Sequence, residues 1–263
     1  MSSTDSSPAL RLRVFAGPNG AGKSTIIKTV REYLANGRRL DFGVYVNADD
    51  IAVLLRNNRF RFRDYKINTT ATEFASIAAA SGLVGARFPE EEFRRSYRFS
   101  SNRVYLLRDE ADEALAQIIA DFLRKKLLKE KLRFSFETVF SHPGKLDIMR
   151  EAVAAGYKVY LYFVATESPE INIERVRLRV SQNGHDVPVD RIRSRYVRSL
   201  DLLFPAAQLA YQAYFFDNSG ESSRLFAHFK VEHGKKSWDP INTAELPEWF
   251  LEYYFEKVSG DTI

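Results

Sequence analysis

Leu10 to Ala16 (LRLRVFA) alternates apolar and polar residues and then turns wholly apolar, the pattern of a strand that ends in a buried place. A glycine-rich stretch follows, and Lys23 to Leu34 repeats apolar residues at helical spacing, so the chain opens strand, loop, helix. Val44 to Val46 predicts a short second strand, after which Asn47-Ala48-Asp49-Asp50 offers capping residues to a helix over Ile51 to Leu55. Val104 to about Lys129 reads as one long amphipathic helix with Leu107, Ala111, Leu115, Ile118, Ile119, Phe122 and Leu123 on one face. It leads to a strand over Leu132 to Val139, a helix near Lys145 to Ala155 and a strand over Tyr157 to Ala165. The next helix opens at Ser168-Pro169-Glu170, where proline suits a first turn. Tyr214 to Asp217 predicts a last inner strand, Phe226 to Val231 an edge strand, and Leu246 to Val258 an aromatic-rich helix.

Strands alternating with helices predict an α/β fold, a parallel sheet flanked by helices. No internal repeat is visible, and 263 residues suit a single domain over 1–263. Three segments stand apart from that core. Residues 57–102 mix arginine-aromatic alternation (RFRFRDY), a small-residue tract and an acidic-then-basic run, and are read as a basic helical insertion. Residues 175–198, two arginine-laden helical stretches around Ser181 to Pro188, are read as a mobile lid. Residues 221–263 form a C-terminal extension expected to cover the core.

Composition narrows the chemistry. At 45% hydrophobic and 28% charged residues the chain is ordinary for a folded protein. It contains no cysteine, which excludes disulfides, thiolate metal sites and a cysteine nucleophile together and fits the cytoplasm. MSSTDSSPAL has neither a basic start nor an apolar core, so it is expected to be a loose polar tail, and no apolar run nears the roughly 20 residues that span a bilayer. The formal charge of +5 is concentrated: Arg56 to Arg103 holds ten Lys/Arg against five Asp/Glu, and the remaining 29 of each sign cancel. Such a field draws anionic ligands, nucleotides or RNA among them, although a charge cluster alone is equally a solvated face.

Gly17 to Ser24 satisfies G-x-x-x-x-G-K-[ST] between a predicted strand and a predicted helix, the setting that makes it a phosphate-binding loop. Gly17, Asn19, Gly20, Ala21, Gly22, Lys23, Ser24 and Thr25 are the expected nucleotide contacts. Glycines let backbone amides turn inward to phosphate oxygens, Lys23 reaches the β and γ phosphates, and the Ser24 hydroxyl ligates Mg²⁺. The loop alone does not choose between ATPase, GTPase and kinase; no N-K-x-D guanine motif and no LSGGQ-like signature is present. Asp49, just beyond the second strand, is a candidate base for an acceptor hydroxyl, with Asp50 its competitor and helix capping the plain alternative. Glu137 and Thr138 end a strand, where a carboxylate can hold a metal-bound water or the acceptor and a hydroxyl can bind a phosphate or sugar oxygen. Of the seven arginines between Arg175 and Arg198, Arg179 and Arg195 are singled out as those that neutralise a transferred phosphoryl group. His185, beside a glycine in a turn, is given no proton-transfer role.

With AGPNGAGKST, VNADDIA, FETVFSHPGKLDIMREAVAAGYKVYLYFV, ERVRLRVSQNGHDVP and DNSG in that order, the sequence resembles the zeta-toxin family of P-loop kinases, in the branch labelled predicted ABC-type ATPase. The resemblance covers roughly two thirds of the chain. It implies a P-loop kinase-like fold and a kinase using ATP and Mg²⁺, with Asp49 as acceptor base, a sugar hydroxyl of UDP-N-acetylglucosamine or a related nucleotide-sugar as acceptor, and a small antitoxin protein as partner. The long 57–102 segment, Val139 after Glu137-Thr138, and the extended tail depart from the family pattern where acceptor choice is set. Two other readings stand beside it. One is a polynucleotide or dinucleotide kinase whose insertion stacks and binds nucleic acid. The other is a non-catalytic, nucleotide-dependent interaction module.

Overall fold

β1 (Arg11–Ala16) buries nearly every residue, as a strand covered on both faces must. The structure is a computed structural model that describes residues 9–260 except 36, 86, 87, 183 and 185. The polar tail over residues 1–8 and His185 therefore lie outside the described residues. The chain divides into two compact units, one of Met1–Phe42 with Glu137–Ile263 and one of Gly43–Phe136. After β1 the first unit continues with α1 (Lys23–Glu32), which buries Ile26, Ile27 and Val30, and a small antiparallel pair, β2 (Leu34–Ala35) and β3 (Arg38–Arg39).

The second unit begins with β4 (Val44–Val46) and α2 (Ala48–Arg56). It continues through α3 (Ala71–Ala79), α4 (Glu90–Ser96), β5 (Tyr97–Ser100), β6 (Arg103–Leu106) and α5 (Asp112–Lys129). β7 (Phe134–Thr138) runs parallel to β4, and its last two residues belong to the first unit. The expected helix from Val104 is corrected here: Arg103–Leu106 pairs antiparallel with Tyr97–Ser100, and the helix starts only at Asp112. Ser101 and Asn102 both take positive φ, 52° and 57°, the geometry of a tight hairpin turn. Leu107, expected on the helix's apolar face, is instead 58% exposed. The insertion is thus helical only in part and closes as a strand.

The same unit separates rings from charges. Phe60, Phe62, Phe74 and Phe122 are fully buried, with ring centroids of Phe62, Phe74 and Phe122 between 5.2 and 5.6 Å apart. Arg59 and Arg63 are exposed. The aromatic members of RFRFRDY are therefore core, which corrects their reading as a base-stacking platform. Polar groups on α5 are paired where they are buried: Lys126 meets Glu73 at 2.6 Å and Glu130 at 3.3 Å, and Asp112 is held by Arg56.

The chain returns to the first unit through α6 (Gly144–Ala154), β8 (Lys158–Ala165), α7 (Pro169–Ser181), α8 (Val189–Asp201) and α9 (Leu203–Leu209). It ends with β9 (Gln212–Asp217), β10 (Arg224–Glu232), β11 (Lys235–Trp238) and a helical run of Glu248–Phe250, a wider π turn over Leu251–Phe255, and Glu256–Gly260. Its strands lie in the order β11-β10-β9-β8-β1, with β1, β8 and β9 parallel and the last two antiparallel. β10, expected at the edge, is covered by β11, whose short Lys-Lys-Ser-Trp sequence carries little strand signal. Trp249, Phe250 and Tyr254 of the final helix pack against Phe215, Phe226 and Trp238. Among the described residues no helix is long and apolar enough to cross a membrane.

Two outcomes follow from this packing. Phe62→Ala opens a cavity at the centre of the aromatic core and should cost about 3–5 kcal/mol in denaturant unfolding. Lys236 donates to Gln208 Oε1 at 2.7 Å and lies over Phe229, and burial pushes its ammonium from 10.5 down to about 8. Between those values the unfolded chain binds the extra proton, so stability should rise as pH climbs from about 8 towards 10. Lys236→Met should lack that rise; identical profiles for the two proteins would show that Lys236 does not titrate there.

Candidate nucleotide-binding site

The loop after β1 lies against other backbone so closely that only hydrogen fits at its turns. A Cβ on Gly17 would stand 2.0 Å from the Val164 carbonyl oxygen of β8, and Gly17 has φ 144°. Gly22 has φ 91°, and a Cβ there would stand 2.1 Å from Asn218 Nδ2. That residue is the N-cap of α1, which has no side-chain cap and no acidic residue in its first turn. The positive end of the helix dipole, with no acidic side chain to offset it, suits an anion.

Lys23, buried to 7% exposure, folds back so that Nζ donates to the Pro18 carbonyl at 2.9 Å. Ser24 is exposed, and its hydroxyl donates to Glu137 Oε1 at 3.5 Å. This brings a hydroxyl from α1 and a carboxylate from the end of β7 to one point. The pair is a hard-oxygen donor set of the kind that holds Mg²⁺ with phosphates and water completing the shell. Among the described residues there is no group of three or more His, Cys, Asp or Glu that could hold a metal ion by themselves. Thr138 Oγ1 accepts from the Phe140 amide at 3.1 Å, which shapes the turn beyond β7. Thr25 lies in the exposed first turn of α1, and its carbonyl accepts from Thr29 Oγ1.

Of the two arginines singled out, Arg195 reaches the loop: Nη1 donates to Asn19 Oδ1 at 3.3 Å. Its neighbour Tyr196 explains why, since that phenol donates to the Thr166 carbonyl at 2.6 Å and pins α8 beside β8. Burial raises the Tyr196 pKa, so the phenol remains a donor. Arg193 adds a 3.4 Å pair to Glu170 in the first turn of α7. Arg179 lies in the last turn of α7, with its carbonyl accepting from the Gly184 amide at 2.8 Å and its side chain where a Gly184 Cβ would stand.

Three residues around the loop were not named as ligands by sequence reasoning. Asn218, in the DNSG quartet after β9, donates to the Ala21 carbonyl at 2.8 Å. The Asn172 carbonyl stands 2.6 Å from where a Gly20 Cβ would be, and its Nδ2 is buried without a hydrogen-bond partner. Arg175 donates from Nη2 to the Gly220 carbonyl at 3.0 Å, while its Nη1 is buried without one. The signal for Asn218 was its place at a strand end; for Asn172 the sequence held none. Orphaned donors beside a glycine cradle fit a phosphate-bearing nucleotide.

Asp49 belongs to the second unit. Asn47, not Asp49, caps α2, because Asn47 Oδ1 accepts from the Asp49 amide at 2.8 Å. The Asp49 side chain is exposed in the first turn. Asp50 lies near Tyr65, whose phenol is pushed up to about 12 by burial first and then by the Asp50 and Asp64 charges.

No family model matches the chain. An uncharacterized protein of Haemophilus influenzae is 29% identical over 69 residues, covering 26% of this chain and 49% of that protein. The native AvrRxo1-ORF1:ORF2 complex matches with a TM-score of 0.50 and 16% identity over 91% of this chain and 63% of that one. The same pair with ATP matches with a TM-score of 0.50 and 14% identity, over 95% and 64%. The PezAT chromosomal toxin-antitoxin system of Streptococcus pneumoniae, at a TM-score of 0.46 and 16% identity over 97% and 82%, is too distant to bear on function. The chain thus spans about half the length of the curated relative and under two thirds of the AvrRxo1 chain. What is shared is the fold, and it is the expected P-loop kinase-like α/β fold.

The latch between Asn218 and the loop is open to measurement. Asn218→Ala should weaken binding of a fluorescent ATP analogue about tenfold, since a lost buried hydrogen bond leaves the Ala21 carbonyl unsatisfied at about 1–3 kcal/mol. Unchanged affinity would mean that the loop holds its shape without the latch.

Proposed function

We propose that this chain, with the fold of the zeta-toxin-like P-loop kinases, is an ATP-dependent kinase that phosphorylates a hydroxyl of a small, anionic acceptor. The observation that carries the reading is the meeting of Glu137 and Arg195 with the phosphate loop, at Ser24 and Asn19. A module that only bound nucleotide would need the loop but neither a second carboxylate nor a lid cation. ATP supplies the γ-phosphoryl group. The loop amides and Lys23 hold its phosphates, Ser24 and Glu137 hold Mg²⁺, and Arg195 offsets charge that develops on the transferred group. Arg179, at the hinge of the lid, is the second candidate cation.

Asp49 is assigned to the acceptor. Its carboxylate orients the hydroxyl and takes its proton as the new oxygen–phosphorus bond forms and the bond to ADP breaks. Asp49 and Asp50 are both exposed and capping is left to Asn47; the nearness of Asp50 to the buried Tyr65 phenol favours Asp49 as the acceptor's carboxylate. Glu137 and Thr138 contribute to the acceptor side at the end of β7. By the resemblance of its motifs the acceptor is UDP-N-acetylglucosamine or a related nucleotide-sugar, the setting is the cytoplasm, and an antitoxin protein restrains the activity. A partner protein also accompanies AvrRxo1-ORF1 in the structure that shares this fold.

The test is incubation with ATP, Mg²⁺ and a panel of nucleotide-sugars, read by mass spectrometry for gain of one phosphoryl group. Wild type should convert at least one acceptor. Asp49→Asn should slow turnover about a hundredfold to ten-thousandfold with ATP affinity unchanged. Full turnover by Asp49→Asn would remove that residue from the mechanism, and ATP binding without transfer to any acceptor would return the chain to the non-catalytic reading.

A further inference from the structure

The second unit carries a charged surface that the phosphotransfer chemistry does not use. Arg59, Arg61, Arg63, Lys66, Arg98 and Arg103 surround the Ser101-Asn102 turn of the β5–β6 hairpin. Asn102 lashes the preceding loop to this turn. Its Oδ1 accepts from the Thr69 amide at 3.0 Å, its Nδ2 donates to the Ile67 carbonyl at 2.9 Å, and its own carbonyl accepts from the Phe62 amide at 3.3 Å. Arg103 Nη2 donates to the Asn58 carbonyl at 2.7 Å, which brings Arg59 to the same place. On the hairpin's outward face the guanidiniums of Arg98 and Arg103 lie over Tyr105, at 4.5 and 4.9 Å from the ring centre.

Six cations share this surface with one carboxylate, Asp64, which Arg61 takes at 3.2 Å. Arg59, Arg63, Lys66, Arg98 and Arg103 form no ion pair among the described residues. The cluster alone therefore equals the formal +5 of the whole chain. Cations held together against their mutual repulsion make a strong local field that an anion relieves.

Three observations define the anion. Asp49 lies in the first turn of α2, whereas the chain of the cluster leaves its last turns, where the Arg59 amide donates to the Leu54 carbonyl at 2.7 Å, so the cluster starts from the other end of the helix than the acceptor carboxylate. No large hydrophobic residue between 57 and 106 is exposed among the described residues, and exposed Leu107 follows the end of β6 away from the turn, so the surface around the turn lacks the apolar anchor on which protein partners rely. The interleaved phenylalanines are buried and Tyr105 is covered by guanidiniums, so bases have no free ring to stack on. What remains is an array of fork-shaped donors suited to successive phosphates.

We propose that this surface binds the phosphodiester backbone of a nucleic acid without regard to its base sequence. It is a docking surface built from residues that the phosphotransfer reading does not use, and it stands whether or not the kinase reading does. Fluorescence anisotropy with a labelled single-stranded RNA and with an RNA duplex of the same length, between 50 and 200 mM salt, tests it; tight binding of either form upholds it. With five cations engaged, the single strand should show a slope of about −3.5 in log affinity against log salt. Arg59→Ser with Arg63→Ser, both exposed, should weaken binding tenfold or more and make the slope shallower by about 1.4. Arg59→Lys with Arg63→Lys should keep the slope, and Lys235→Glu on exposed β11 should leave binding unchanged. Three results would overturn the proposal: no binding at 50 mM salt, equal binding by the double serine variant, or polyglutamate of matched charge binding more tightly than either RNA.

Discussion

Nothing larger than a hydrogen atom fits between the phosphate loop and the chain behind it, and the site depends on that contact. At Gly17 the constraint is the Val164 carbonyl of β8, at Gly20 the Asn172 backbone, and at Gly22 the Asn218 amide. Three separate segments thus meet one nine-residue loop. The arrangement also orders what surrounds it. Because β8 is the strand on which the loop rests, Tyr196 can anchor α8 to the Thr166 carbonyl just past its end, and Arg195 then meets Asn19. Arg195 is placed by the same strand that fixes the loop.

The second unit solves a different problem, how to bury many rings in a segment that also carries most of the chain's unbalanced charge. Alternation does this in Arg59 to Tyr65: the phenylalanines turn inward onto Phe74 and Phe122, and the arginines turn out. The rings supply the packing, while the cations, with too few carboxylates nearby, leave a surface whose field is not neutralised. The buried charge of this unit sits on α5, where Lys126 and Asp112 have partners. Burial demands a partner for an ion; exposure does not, and Arg59, Arg63, Lys66 and Arg98 are exposed.

Where local rules were strong, the chain could be read in advance. The loop was legible because its glycines and lysine are demanded by backbone geometry and phosphate charge, and the inner strands because they are continuous apolar runs. Asn47 as a cap was legible for the same local reason. The β5–β6 hairpin was not, since Val104, Tyr105 and Leu106 fit helical spacing as well as strand alternation, and only the turn at Ser101-Asn102 decides between them. β11 was hidden because its strand character comes from pairing with β10 and not from its own residues. Asn172 gave no signal because its role depends on a loop some 150 residues earlier in the chain, and Arg175 stood out from its neighbouring arginines only through its bond to the Gly220 carbonyl.

The sequence by itself determined that a glycine-rich loop with the phosphate-binding pattern follows β1, that the chain is α/β, and that its positive charge lies in one segment. Each of these is a property of neighbours along the chain. Only the tertiary structure decided that Glu137 meets Ser24, that Arg195 reaches Asn19, that Asn218 latches the loop, and that the aromatic residues of the basic segment are core. Those are contacts between residues far apart in sequence, and they exist because side chains compete for one buried volume, a competition that no local pattern records.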